Sequence, residues 1–445
     1  MMNTKIIAVI AAVVVVAAGI AAVVIMNNNN DDEYEVNETG RLLVFGNANN
    51  DDAIDSHDRD LVNDIVKGNT TWDKEINPYA DANHDGSITE ADVTQIQDII
   101  DKKEGTTLWY REYYESLSNK DVSITYPMKT DRIGVYQYQA GILLNFLGLW
   151  NKVVYADNRT ISSTQFFDTS KLSSYGDYAG SNMKTTAAVE TFKASNVDVL
   201  VLNGYWDDTA VKDGLKAAGS DTQVIKPYSQ GTYCLASMVT FGFILGAEEQ
   251  AKEYIQFYEK ATGYLNECFK NLSDSDKVSY LVPSDPKDSG KIEISSSGTN
   301  GTYPDLAWVL TLPGTNNMPT GDNGKYNAFR TAEWFTTDAA KSDYLIISIS
   351  GLGTNSLQDK LDTYAEMFKE TDEYKNKNIL AFNYAYFNGC YCPGQIVLLA
   401  SYLYPDLVDQ EKAWELFDEF FDKYDINKAA GAKVYAGVYR MSGTA

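Results

Sequence analysis

The chain has 445 residues, with 62 Asp+Glu against 37 Lys+Arg and a formal net charge of −25. That acidity argues against a nucleic-acid partner, because phosphate contacts need clustered Lys and Arg. With only 2 histidines, His57 and His84, imidazole catalysis and His-ligated zinc, haem or copper are excluded as the main chemistry. From the N-terminus, Ile6 to Met26 is unbroken apolar sequence behind Lys5. About 20 such residues suffice for a helix to cross a bilayer. Residues 1–26 are therefore expected to be a membrane anchor, with a signal segment cleaved after Ala17-Ala18-Gly19 as the alternative. The charge pattern expects a cell-membrane protein with a single N-terminal pass and the bulk of the chain extracellular. Residues 27–40, NNNNDDEYEVNETG, read as a polar linker.

The next element is duplicated. Asp81-Ala-Asn83-His-Asp85-Gly86-Ser87-Ile88-Thr89-Glu-Ala-Asp92 puts oxygen ligands at positions 1, 3, 5 and 12 of a 12-residue loop, with a carbonyl at Ser87 and a turn glycine at position 6. Hard oxygen donors spaced in this way around one tight loop suit Ca²⁺. Thirty-four residues earlier, Asn47, Asn49, Asp51, Ala53 and Asp58 repeat the ligand positions, with Asp52 in place of the glycine. Asp tolerates the left-handed backbone of that position at a cost. Each loop runs into a helical stripe, Val62-Ile65-Val66 answering Ile96-Ile99-Ile100. The loop–helix duplication, with Asp at position 12, resembles the type I dockerin over residues 41–104. The resemblance implies a small all-α domain that folds on Ca²⁺, with a cohesin module as partner. In that family loop positions 10 and 11 select the cohesin; here they are Ser56-His57 and Glu90-Ala91.

From about residue 125, strands alternate with helices. Strands are expected at Arg132–Tyr136, Lys152–Tyr155, Val197–Leu202 and Gln223–Lys226, with helices at Gly141–Leu149, Ala187–Ala194 and Thr209–Ala218. This order implies a parallel sheet covered on both faces. Tyr233 to about Asn271 reads as one long amphipathic helix of roughly 40–60 Å. A second series follows through Lys277–Val282, Leu306–Leu310, Asp343–Ser348, Leu357–Phe368, Asn378–Phe382, Gly394–Tyr404 and Glu411–Tyr424. The fold class expected is α/β: two parallel-sheet lobes, residues 125–230 and 273–445, joined by one spine helix, 231–272. The 4 cysteines, Cys234, Cys268, Cys390 and Cys392, read as buried thiols rather than a disulfide framework.

The opening Asp131-Arg-Ile-Gly-Val, the stretch Leu144-Asn-Phe-Leu-Gly-Leu-Trp-Asn-Lys-Val-Val-Tyr-Ala156, Val189-Glu190…Asn196-Val-Asp198, Phe329-Arg330…Glu333-Trp, and Leu398…Tyr404-Pro405-Asp406 resemble the helical-backbone substrate-binding proteins of ABC importers. Asn196-Val197 stands where that family usually has a proline. The resemblance covers most of residues 125–425. It implies a non-enzymatic protein that carries an iron–siderophore, haem or corrinoid chelate to a permease, and it assigns Glu190 and Glu333 to pair with Arg on that permease.

The ligand is expected between the lobes, at loops following the strands. Candidate contacts are Tyr136, Tyr138, Arg159, Tyr205 and Trp206 in the first lobe, and Tyr303, Trp308, Tyr384, Tyr386 and Tyr391 in the second. Aromatic faces would stack on the organic part, and Arg159 would meet an anionic chelate. Because both histidines fall in the calcium-loop region, a chelated metal fits better than a bare ion. Two other readings are a dockerin-mediated cell-surface assembly or adhesion protein and a dockerin-bearing extracellular enzyme such as a glycosidase.

Overall fold

The structure, a computed structural model, describes residues 23–26, 34–37, 41–112, 120–177, 185–204, 207–284, 291–295, 304–317, 327–350, 356–424 and 436–442. The expected membrane helix lies outside these as far as residue 22. Its last four residues, Val23–Met26, form strand β1, paired antiparallel with β2 (Tyr34–Asn37). Among the described residues no helix is long and apolar enough to cross a membrane. The expected single-pass, membrane-anchored placement is thereby corrected: where the span is described it is strand, and no described helix takes its place.

The duplicated region folds as two loop–helix units ending in α1 (Ser56–Lys67) and α2 (Glu90–Ile100). The same local rule starts both helices. Asp55 and Thr89 cap the N-termini, while Asp58 and Asp92 three residues on accept from the cap residue's N–H. Ile54, Leu61, Val62, Ile96 and Ile99 are buried between the units, whereas Ile65, Val66 and Ile100 of the expected stripe are half-buried. This module is not a bead on a string. Its core is continuous with that of the body. The extended segment Leu42–Phe45 is buried throughout and is laced to both sides. Leu43 N–H donates to Thr240 Oγ1 (2.9 Å), Thr240 Oγ1 donates to the Arg41 carbonyl (3.0 Å), and Phe45 N–H donates to the Trp109 carbonyl (2.9 Å).

Trp109 belongs to a hairpin, β3 (Thr106–Glu112) and β4 (Lys120–Tyr126), which the sequence reading does not anticipate. Leu108, Tyr110 and Glu112 share its buried face by the two-residue period of a strand. Glu112 docks the hairpin on the first lobe through a buried ion cluster. Lys212 lies 3.3 Å from Glu112 and 2.7 Å from Asp208, and Lys226 lies 3.3 Å from Asp208 and 3.9 Å from Glu112. The Tyr110 hydroxyl donates to Glu112 at 2.9 Å. Against the upward push of burial, Lys212 and Lys226 hold the Asp208 carboxyl below the usual carboxylate range.

The first lobe runs β5 (Ile133–Tyr136), α3 (Tyr138–Phe146), β6 (Val153–Ala156), α4 (Asn158–Ser162), β7 (Ser173–Ser174), α5 (Thr186–Ala194), β8 (Val199–Leu202), α6 (Thr209–Ala217) and β9 (Gln223–Ile225). Its sheet has order β7-β6-β5-β8-β9, with every pair parallel. Central β5 and β8 are buried at every residue, as strands covered on both faces must be.

The expected single long helix is two helices, α7 (Tyr233–Ile244) and α8 (Glu248–Phe269). Gly246 adopts φ +69°, and Ala247 N–H turns back to the Gly242 carbonyl at 2.7 Å. A glycine in the left-handed region ends a helix in this way. The spine proper is α8, whose 22 residues span about 33 Å, shorter than the unbroken reading. Ala251, Tyr254, Ile255, Tyr258, Ala261 and Leu265 form its buried stripe, as the spacing requires.

The second lobe holds β10 (Ser279–Leu281), β11 (Ile292–Ser295), α9 (Pro304–Val309), β12 (Thr315–Asn316), β13 (Asn327–Arg330), β14 (Tyr344–Ile349), α10 (Leu357–Ala365), α11 (Asp372–Lys375), β15 (Ile379–Asn383), α12 (Tyr384–Phe387), α13 (Ile396–Leu403), α14 (Gln410–Tyr424) and β16 (Val438–Arg440). Its main sheet has order β12-β10-β14-β15-β16, parallel except for β16. The lobes meet through backbone: Gln230 bridges Gly389 antiparallel, and Gly231 N–H donates to the Asn388 carbonyl.

Lys226→Met leaves Glu112 and Asp208 buried with one ammonium fewer, and should lower unfolding free energy by about 3–5 kcal/mol, read as a lower urea midpoint at unchanged slope. At Gly389 an added Cβ would lie 2.5 Å from the Ser229 carbonyl oxygen. Gly389→Ala should therefore cost about 1–3 kcal/mol and lower the melting temperature.

Candidate functional site

Both lobes are open sheets whose strands, β16 apart, run parallel, and in such sheets a crevice forms at the carboxyl ends of strands where the order reverses. In the first lobe that point is β5, with β6 on one side and β8 on the other. The residues that follow these three strands are polar and buried: Gln137 (7% exposed), Asp157 (5%) and Asn203 (0%). Gln137 Oε1 accepts from Asn203 Nδ2 at 3.3 Å. Beside them, the Arg159 guanidinium lies 5.6 Å from the Tyr138 ring centroid. Arg159 is exposed, and among the described residues no carboxylate comes within ion-pair distance of it.

Aromatic rings cross from this point to the second lobe. Tyr138 stacks on Phe166 with centroids 5.6 Å apart, and Phe166 in turn meets Tyr386 at 4.9 Å and Tyr391 at 5.9 Å. Tyr386 and Tyr391 are 5.2 Å apart, and Tyr391 stacks on Phe421 at 5.6 Å. All five rings are buried. Burial pushes the Tyr138 hydroxyl's pKa up.

The structure thus brings Tyr138, Arg159, Tyr386 and Tyr391 to one place. It does not bring Tyr136 or Trp308 there. Tyr136 lies in the core of the first lobe with Tyr175, Phe192 and Leu202, because the period of β5 turns it to that face. Trp308 is 1% exposed and packs 6.3 Å from Tyr258 of the spine. Tyr384 is half-buried in the first turn of α12. Tyr205, Trp206 and Tyr303 lie outside the described residues. Glu190 on α5 and Glu333 in the 3₁₀ turn Ala332–Thr336 are both exposed. A hydrogen bond from Thr331 holds the Glu333 carboxyl below its usual range. Gln137, Asp157, Asn203 and Phe166 are the members that sequence reasoning missed. Their positions directly after strands were the available signal for the first three.

The calcium-type loops are a second candidate. In the second loop, Asp81 accepts from the N–H groups of Asp85 (3.0 Å) and Gly86 (2.8 Å), Asp85 accepts from Ser87 (2.9 Å), and Asp92 accepts from Asn83 (3.2 Å) and Thr89 (2.8 Å). The first loop matches at position 12, where Asp58 accepts from Asn49 (3.1 Å) and Asp55 (2.8 Å). It departs at position 6. The left-handed residues are Gly86 (φ +93°) and His84 (φ +60°) in the second loop, but only Asn50 (φ +61°) in the first. Asp52 therefore does not take the left-handed turn. Its carboxylate turns out to Arg41, 2.6 Å away, which also reaches Glu259 of α8 at 2.9 Å.

Do these residues suit a cation? Asn47 Oδ1 at position 1 is in a fully buried side chain and accepts no hydrogen bond. Asp58 and Asp92 are fully buried carboxylates, and burial pushes Asp58 up to about 7. Lone pairs in such positions suit a hard cation. Among the described residues no three His, Cys, Asp or Glu side chains converge on a metal position. The donor set here would instead mix carboxylates with Asn amides and the carbonyls of Ala53 and Ser87.

No family model matches the chain, so the dockerin resemblance of residues 41–104 gains no support, and no curated protein matches. Solved structures do match. The TroA-like periplasmic binding protein FepB from Veillonella parvula aligns with a TM-score of 0.51 at 15% identity, over 75% of this chain and 99% of that one. A periplasmic heme binding protein from Pseudomonas aeruginosa aligns at 0.42 and 14% identity, over 62% of this chain and 94% of its own. CeuE from Helicobacter pylori aligns at 0.48 and 14%, over 73% and 97%. The last two are too distant to add to the first. The chain has the α/β fold of a TroA-like periplasmic binding protein.

Proposed function

We propose that this chain is the substrate-binding component of an ABC importer, that it holds a metal chelate of the iron–siderophore, haem or corrinoid class between its lobes, and that it docks on a permease through Glu190 and Glu333. The observation that carries the reading is the aromatic cluster of Tyr138, Phe166, Tyr386 and Tyr391, which spans both lobes beside an exposed Arg159 that meets no carboxylate among the described residues. Aromatic faces and one guanidinium suit an organic chelate with anionic oxygens. The absence of histidine from the two lobes disfavours a bare transition-metal ion as cargo.

We further propose that the two loops bind Ca²⁺, through Asp81, Asn83, Asp85, Ser87 and Asp92 in one and Asn47, Asn49, Asp51, Ala53 and Asp58 in the other. The buried, unbonded Oδ1 of Asn47 supports this. The ion would supply positive charge to Asp58, Asp81, Asp85 and Asp92, which form no ion pair among the described residues. The residues themselves fix the loops to the helix starts.

Thermal-shift and titration experiments with ferric tris-catecholate, ferric tris-hydroxamate, haemin and cyanocobalamin test the first reading. At least one should raise the melting temperature, and Arg159→Gln should weaken an anionic binder about tenfold. No shift with any of them would sink the reading. For the loops, Ca²⁺ at about 100 times its Kd should stabilise the chain by about 2.7 kcal/mol over an EDTA-treated sample. Asp92→Ala should lower the titrated stoichiometry by one. Identical melting in Ca²⁺ and EDTA would rule out the loop assignment.

A further inference from the structure

Gln137 is a non-glycine residue at φ +75°, ψ +135°, a region that side chains bearing a Cβ avoid. It sits where β5 gives way to α3, at the switch point of the first lobe. Such a conformation persists only where the surroundings over-determine it: the Gln137 carbonyl accepts from Ala140 and Gly141 of its own helix, its side chain from Asn203, and its N–H is held by one carboxylate from the neighbouring loop. Asp157 Oδ1 accepts from Gln137 N–H at 2.8 Å. The same carboxylate caps α4, accepting from Arg159 N–H at 3.2 Å and from the Thr160 hydroxyl. Asp157 is 5% exposed, and three donors occupy its oxygens. It therefore presents little of its charge to the crevice. What it does instead is geometric. Gln137 immediately precedes Tyr138, and the Arg159 backbone is gripped directly. A single carboxylate thus fixes the chain at both members of the Tyr138–Arg159 pair, across the two loops that flank the switch point.

We propose that Asp157 is a positioning residue for ligand binding: by pinning the strained turn at Gln137 and the start of α4 together, it holds Tyr138 and Arg159 in register to receive an anionic ligand that it does not itself touch. The proposal rests on the chelate-binding reading above. It also explains why a carboxylate is tolerated beside a site whose exposed charge is positive.

The test is a rescue. Asp157→Asn loses one charged acceptor and should weaken the chelate that binds best to the wild type by about tenfold or more. Glycine accepts φ +75° without strain, so adding Gln137→Gly to Asp157→Asn should restore most of that affinity. A purely structural role would lower the melting temperature without such recovery. Affinity of Asp157→Asn within about twofold of wild type, or a loss that the double variant does not regain, would overturn the proposal. Crystal structures of wild type and Asp157→Asn without ligand supply an independent readout. The Arg159 guanidinium should stay over the Tyr138 ring only in the wild type, and its retention in the variant would equally overturn the proposal. Failure of the wild type to bind any chelate would count against the chelate reading alone, since this second readout needs no ligand.

Discussion

A buried extended segment must find a partner for every backbone N–H and carbonyl it carries into the interior. Leu42–Phe45 is such a segment, and the way it meets that demand decides the architecture. Arg111 N–H reaches the Leu43 carbonyl at 2.8 Å, Asn47 Nδ2 reaches the Leu42 carbonyl at 2.8 Å, and Asn47 N–H reaches the Val44 carbonyl at 3.1 Å. With Thr240 on α7 and Trp109 on β3, the partners come from the loop module, the hairpin and the body. None of the three can leave without exposing unsatisfied groups at about 1–3 kcal/mol each. The module that the sequence presents as a separate bead is consequently part of one hydrophobic core.

The acidic character of the chain is organised by the same joint. Residues 41–104 hold 15 Asp+Glu and 6 Lys+Arg. Arg41 is among the few cations there, and it is spent on Asp52 of the first loop and Glu259 of the spine together. Where the hairpin meets the first lobe, buried charge is matched in number: Glu112 and Asp208 face Lys212 and Lys226. The switch point of the first lobe follows a different rule. Its buried carboxylate, Asp157, is surrounded by hydrogen-bond donors, and Arg159 is exposed with no carboxylate at ion-pair distance among the described residues.

Much of the α/β body was legible because its signals are local. The runs Ile133–Tyr136, Val199–Leu202 and Tyr344–Ile349 are apolar on both faces, and only a covered parallel strand permits that. The helical spacing after each duplicated loop was equally plain, and α1 and α2 lie there. Three features were not legible. The hairpin β3–β4 alternates polar and apolar residues, but it lies between the duplicated loops and the α/β series, outside both patterns that the sequence presents. The break at Gly246 falls where a fully apolar run meets an amphipathic one, and both read as helix although the backbone turns between them. At the site, aromatic residue type pointed to Tyr138, Tyr386 and Tyr391. It pointed equally to Tyr136 and Trp308, because ring chemistry does not reveal which face of a strand or helix a residue occupies. Gln137, Asp157 and Asn203 have unremarkable side chains, and only their place after strands in the sheet order gives them meaning.

The lobes join at Gln230 and Gly389 by main-chain groups, and Gly389 has no side chain with which to take part. Backbone pairing is indifferent to most substitutions, so this part of the joint tolerates change in the side chains around it, Gly389 excepted. The rings around Phe166 cross the same joint and are buried, so an exchange there would be felt in how the lobes seat. In engineering terms, the main chain is the hinge plate and the rings are its shim.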